Sequence, residues 1–185
     1  MERAAFLESR RRDWELLRDV AQRIQPGMSE AEGYELLLAG MRRHGGEPPP
    51  YPPVIRFGAD TQRPCSPHPD PHFRLEEDDI FILDFGHVGD TFVLGRDSEM
   101  RRCVRDCRML FELVREEWRG TKHCGPALYD YAEKAAQSRG WLLVREQKGR
   151  GFPHATKFPD AWALEIHIRH PGRPFGAFYE DILLG

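Results

Sequence analysis

An α+β fold built from two similar halves is what this sequence predicts, and three observations predict it. Pairs of amphipathic helical segments occur twice, each pair stopped by glycine and followed by short β-branched runs. A shift of 95 positions places Tyr34 on Tyr129 and Gly45 on Gly140, so the order helix, turn, helix, glycine stop and strands repeats. Acids stand inside three of the apolar runs, Phe81-Ile-Leu-Asp84-Phe-Gly86, Trp162-Ala-Leu-Glu165-Ile-His-Ile and Phe178-Tyr-Glu180-Asp-Ile-Leu-Leu. Together they point to a site where the halves meet.

The first helix is predicted over Ala4 to Ile24, where Phe6, Leu7, Trp14, Leu16, Leu17, Val20 and Ile24 follow a helical period until Pro26-Gly27 ends it. Ser29-Glu30-Ala31-Glu32 has the form of a capping box and opens a second helix with Tyr34, Leu37, Leu38 and Met41 on its apolar face. Five prolines between Glu47 and Pro53 make a stiff connector into the strand Val54 to Phe57. A second proline-rich loop, Pro64 to Pro71, leads to the strands Ile80 to Phe85 and Thr91 to Leu94. Met100, Val104, Cys107, Leu110, Phe111 and Val114 define a helix from Ser98 to about Trp118. Pro126 to Arg139 makes another, closed by Gly140, and the two late acid-bearing strands complete the chain.

With 185 residues and 40% hydrophobic content, the chain is long enough for one globular domain with a substantial core, and residues 1–185 are read as that domain with no separate N-terminal domain. Basic and acidic residues, 27 and 30, are mixed along the sequence for a net charge of −3, which argues against nucleic acid or a membrane surface as partner. Arg10-Arg11-Arg12 reads as the solvated face of a helix. No apolar stretch approaches the roughly 20 residues of a membrane span. The N-terminus lacks the apolar core of a signal peptide, and Cys65, Cys103, Cys107 and Cys124 form no CxxC pair. The expected location is the cytoplasm. Cys103 and Cys107 lie four apart on one helical face, where packing explains them.

A carboxylate inside an apolar strand needs a proton, a cationic side chain or a metal. Three such strands in one domain favour a shared cation over three separate ion pairs. His167 alternates onto the face of Glu165 and is placed to line the same cleft.

These segments resemble the pita-bread metallopeptidase superfamily that includes methionine aminopeptidase, aminopeptidase P, prolidase and creatinase. The resemblance runs from about Ala4 to Leu184. Its most specific pieces are Arg56-Phe-Gly58-Ala-Asp60, Pro67-His68, Ile80-Phe-Ile-Leu-Asp84-Phe-Gly86, Thr91-Phe-Val-Leu-Gly95, Leu164-Glu165-Ile166 and Phe178-Tyr-Glu180-Asp181. It implies a pita-bread fold, a curved antiparallel sheet, and a pair of divalent cations (Mn, Co, Zn or Fe) held by two Asp, one His and two Glu. Such hard oxygen donors with one imidazole suit two metals sharing a hydroxide that attacks an amide. Carried over, the metal ligands are Asp84, Asp90, His154, Glu165 and Glu180. The polar catalytic partners are His68 and His154, and Glu165 is the proton acceptor.

Two of the five positions depart from the family pattern. The second Asp should precede the Thr-Phe pair by three or four residues, a place that falls on His87 or in a deletion, whereas Asp90 touches Thr91 directly and leaves little room for two strands and a turn. In Lys148-Gly149-Arg150-Gly151-Phe152-Pro153-His154, Arg150 stands at the histidine of the Gly-His-Gly turn, and a guanidinium does not ligate metal. His154 is then a substitute ligand, a substrate-bonding histidine or a surface residue. The function expected is a metal-dependent aminopeptidase or Xaa-Pro peptidase acting on small peptides, with impaired metal binding; the alternatives are a non-catalytic binding module in which Arg150 and Arg169 neutralise the acids, and a metal-free creatinase-like hydrolase relying on His154. The apolar face of the first helix is what a homodimer would use.

Overall fold

In the computed structural model, residues 3–43, 52–64, 69–121, 125–145 and 161–184 are described. Helices α1 (Arg3–Ala21) and α2 (Glu30–Arg43) precede strand β1 (Val54–Phe57), a 3-10 turn (Gly58–Gln62), β2 (Ile80–Phe85) and β3 (Val88–Val93). Helices α3 (Ser98–Thr121) and α4 (Pro126–Gln137) then precede β4 (Leu142–Leu143), β5 (Ala161–Arg169) and β6 (Gly176–Leu184). The strands form one antiparallel sheet in the order β1-β2-β3-β6-β5-β4. Each half supplies two helices and three strands, and the second half runs in mirror order to the first. The duplication legible in the sequence is thus built into the sheet, with β3 and β6 as the seam.

Local chemistry fixes these elements. The capping box forms as expected: Glu32 N–H donates to Ser29 Oγ at 3.2 Å, and Ser29 N–H donates to the Glu32 carboxylate at 2.8 Å. Asp97 opens α3 by accepting the N–H groups of Glu99 and Met100, each at 2.9 Å. β3 begins three residues earlier than the sequence predicts. A two-residue turn, Gly86-His87, joins Phe85 directly to its partner Val88, and the tightness depends on Gly86 at φ +67°. Two full strands therefore fit into a spacing that looked too short for them.

Two apolar clusters hold the halves. α1 and α2 pack Leu17, Val20 and Leu37 against Ile55, Phe81, Leu83 and Val88. α3 and α4 pack Cys107, Phe111 and Leu128 against Leu164, Ile166, Ala177 and Leu183. Cys107 belongs wholly to this core, its Sγ 3.3 Å from both the Ile166 and Ala177 carbonyls, and burial pushes its thiol well above the ordinary range. The cysteine pair therefore packs, as its spacing suggested. Where the halves meet, the β3–β6 register is a single pair, Gly89 with Glu180. Thr91 reinforces it: its hydroxyl donates to the Phe178 carbonyl at 2.8 Å and accepts from the Phe178 N–H at 2.7 Å.

Candidate metal centre

The register across the seam defines one row. Asp84 pairs with Gly89, Gly89 with Glu180, and Glu180 with Glu165. Directly paired residues point to the same face of a sheet, with Cβ atoms about 4.5–5.5 Å apart. Asp84, Glu180 and Glu165 therefore stand on one face in the order β2, β3, β6, β5, with a glycine in the β3 place. Glu165 and Glu180 are buried and Asp84 is half-buried. The register thus puts the three acids singled out in the sequence on one face of the sheet.

Asp90 is elsewhere. Its cross-strand partner is Leu83, so its side chain leaves the sheet on the face opposite Asp84. The two-residue turn makes this unavoidable: residues that face each other across this hairpin have opposite parity, and 84 and 90 are both even. On that other face Asp90 is bound by Arg108 of α3 in a bidentate pair, Nε to Oδ1 at 3.0 Å and Nη2 to Oδ2 at 2.8 Å, and it accepts its neighbour Thr91 N–H at 2.8 Å. Burial nevertheless raises its carboxyl pKa above the usual value, with the Arg108 hydrogen bonds opposing the rise. Asp90 is a framework ion pair, which corrects its assignment to the ligand set. Arg108 was missed because it lies 18 residues along the chain on another element.

Gly89 is more than a missing side chain. A Cβ built there would lie 2.4 Å from Phe178 Cε1, so the ring occupies the space that a ligand carboxylate would need. Phe178 is two residues before Glu180 on the same face, and His167 stacks edge-on against it at 5.9 Å between ring centroids. His167 does share the face of Glu165. Its Nε2 lies 2.7 Å from the Thr61 carbonyl, an acceptor only, so that nitrogen carries the proton and the ring anchors the 3-10 turn. His87, the ordinary place of the second acid, sits in the hairpin turn against the Phe6 ring at 5.2 Å. Arg169 is exposed, four residues along β5 from Glu165, roughly 13 Å at the rise of a strand, so it does not neutralise the row. His68, Arg150 and His154 lie outside the described residues.

Among the described residues, the row offers donors at its two ends and not between them. Asp84 stands at one end of the row and the Glu165–Glu180 pair at the other, and the intervening place carries no donor. Among the described residues, no group of three or more His, Cys, Asp or Glu side chains is arranged to hold a metal ion.

A two-fold-repeated α+β unit with an acid-bearing row at its seam defines a domain of the pita-bread peptidase class. The chain belongs to metallopeptidase family M24, whose sequence model matches residues 4–181. Solved structures agree on the fold. An X-Pro aminopeptidase from Thermotoga maritima MSB8 superposes with TM-score 0.74 at 16% identity, covering 95% of this chain and 55% of that one. A methionine aminopeptidase from Rickettsia prowazekii gives 0.73 at 11% identity, over 100% of this chain and 94% of that one. A prolidase from Pyrococcus horikoshii OT3 gives 0.70 at 16% identity, over 96% and 57%. This chain thus spans about half the length of the X-Pro aminopeptidase and prolidase chains. No curated protein matches by sequence. Among the described residues no helix is long and apolar enough to cross a membrane.

Proposed function

We propose that this chain is a peptide-binding member of the M24 family that has given up two-metal hydrolysis. The observation that carries the reading is Gly89, standing between Asp84 and Glu180 with Phe178 filling the space beside it. Two-metal hydrolysis needs hard donors placed to hold both ions around a shared hydroxide, and the stretch of the row between Asp84 and Glu180 offers none among the described residues. The carboxylate row of Asp84, Glu180 and Glu165 is chemically suited to the ammonium end of a peptide, which would bind in exchange for the contacts these acids already make. The experiment is to offer the chain a set of Xaa-Pro di- and tripeptides with Mn present, recording binding by calorimetry and release of the N-terminal residue by chromatography. Saturable binding with no release is the expected result; release that Glu180→Gln abolishes would overturn the reading.

One observation favours a second reading, a single-metal hydrolase. Glu165 and Glu180 are direct cross-strand partners, both buried, and two facing carboxylates are a natural site for one hard cation. In this version Asp84, Glu165, Glu180 and His154 hold one Mn, Co, Zn or Fe ion, and His68 contacts the peptide. Turnover at one metal per chain would select it. Turnover independent of metal and lost in His154→Ala would select the creatinase-like alternative.

A further inference from the structure

A cavity lies between the exposed side of α3 and the end of β3. It measures about 360 Å³ and is lined by Thr91, Phe92, Val93, Val104 and three arginines, Arg101, Arg105 and Arg108. The arginines stand at intervals of four and three along α3, the spacing that aligns side chains along one face of a helix. No acidic residue lines the cavity among the described residues. Asp90, which adjoins the lining residue Thr91, is already matched by Arg108. That pairing uses Arg108 Nε and Nη2, the latter also donating to the Thr91 carbonyl at 3.2 Å, which leaves the Nη1 donors outside these contacts. Arg101 donates to the Gly95 carbonyl, and Arg105 comes only within 3.8 Å of the Asp106 carboxylate. Asp106 in turn accepts the Trp141 indole N–H at 2.9 Å and lies 3.7 Å from Arg102.

From this arrangement we infer that the cavity is a binding site for a phosphate-bearing small ligand. Three guanidinium forks over a shallow floor match the planar, multidentate recognition that phosphate oxygens require. The volume accommodates two linked phosphates, and Val93 and Val104 offer an apolar surface beside them. A second arginine-rich cavity of about 330 Å³, lined by Arg3, Arg10, Arg115 and Arg119, lacks this character. There Asp181 engages Arg10, and Glu112 and Glu116 engage Arg115 and Arg119. The α3–β3 cavity is therefore the one whose positive charge is left for a ligand. Since Asp90 leaves the sheet opposite the acid row, the site is separate from the peptide face.

The test is calorimetric titration of the full chain with sodium pyrophosphate and, separately, ADP, with no divalent cation added. Arg101→Gln/Arg105→Gln removes two forks and spares Arg108, whose loss would strip Asp90 of its partner. Arg23→Gln, just beyond α1 and paired with Asp19, controls for the loss of a surface arginine elsewhere. Saturable pyrophosphate binding that weakens by about tenfold or more in the double variant, and not in Arg23→Gln or Glu180→Gln, is expected. Tighter binding of ADP with the same sensitivity would support the site equally and identify a nucleotide as its ligand. Equal affinity in all variants, loss in Glu180→Gln, or absence of saturable binding of either compound would overturn it.

Discussion

The hairpins β2–β3 and β5–β6 occupy matching places in the two halves of the sheet, yet they carry the site differently. β5 and β6 pair from Ala161 with Leu184 to Arg169 with Gly176, and Glu165 and Glu180 face each other in the middle. β2 and β3 pair over six rungs from a two-residue turn, and there Asp84 faces a glycine. A long hairpin keeps its register through many rungs, so its acids stay in place. In the short one, parity at the turn decides which residue enters the row. An aspartate was available on β3, but at position 90 it is on the wrong side of the strand and serves α3 instead. Whether an acid of a segment enters the row is therefore decided by register and not by composition.

Five substitutions break or sharpen that contrast. Gly89→Asp should have the largest effect, a loss of about 3 kcal/mol of stability, because the new side chain meets the Phe178 ring and places a carboxylate between two others. Adding Phe178→Ala to it should recover part of that loss in chemical denaturation, whereas strictly additive losses would show that the ring is not the obstacle. Arg108→Met should cost about 2 kcal/mol, less than a fully buried pair because the guanidinium is partly exposed, and thermal melting would register it. Ser29→Ala, which removes one side of the capping box, should cost about 1 kcal/mol. The smallest effect is a pH slope at Asp90. Its folded pKa lies above the ordinary 3.8, so the native state binds the extra proton first, and this group adds stability as pH falls from neutrality through its raised pKa. Asp90→Asn should abolish that increment, so the stability difference between wild type and variant should shift in favour of wild type on acidification. A difference independent of pH would contradict the burial argument.

Much of this was legible in the sequence. The helical periods, the capping box at Ser29 and the 95-residue shift anticipate the paired halves, and the acids at 84, 165 and 180 mark the seam because charges inside β-branched runs are costly. What could not be read was the face on which Asp90 lies. That depends on the turn closing with only Gly86 and His87 between the strands, and on Arg108 of α3, which no local pattern tied to β3. Nor did the sequence single out Gly89. A glycine in a strand is weak by itself and gains meaning only when cross-strand pairing sets it between two acids. The neutralising role expected of Arg169 failed for a related reason, since it shares parity with Glu165 but stands at the far, exposed end of β5.

The central claim is that the glycine at the seam removes the bridge between two cations, and the most direct measurement is metal stoichiometry. The full chain, dialysed against Mn and then against metal-free buffer, would be assayed by inductively coupled plasma mass spectrometry with its intact mass recorded on the same sample. The account predicts no more than one ion per chain, with Glu180→Gln lowering whatever is retained. Two ions per chain, held through dialysis, would contradict it.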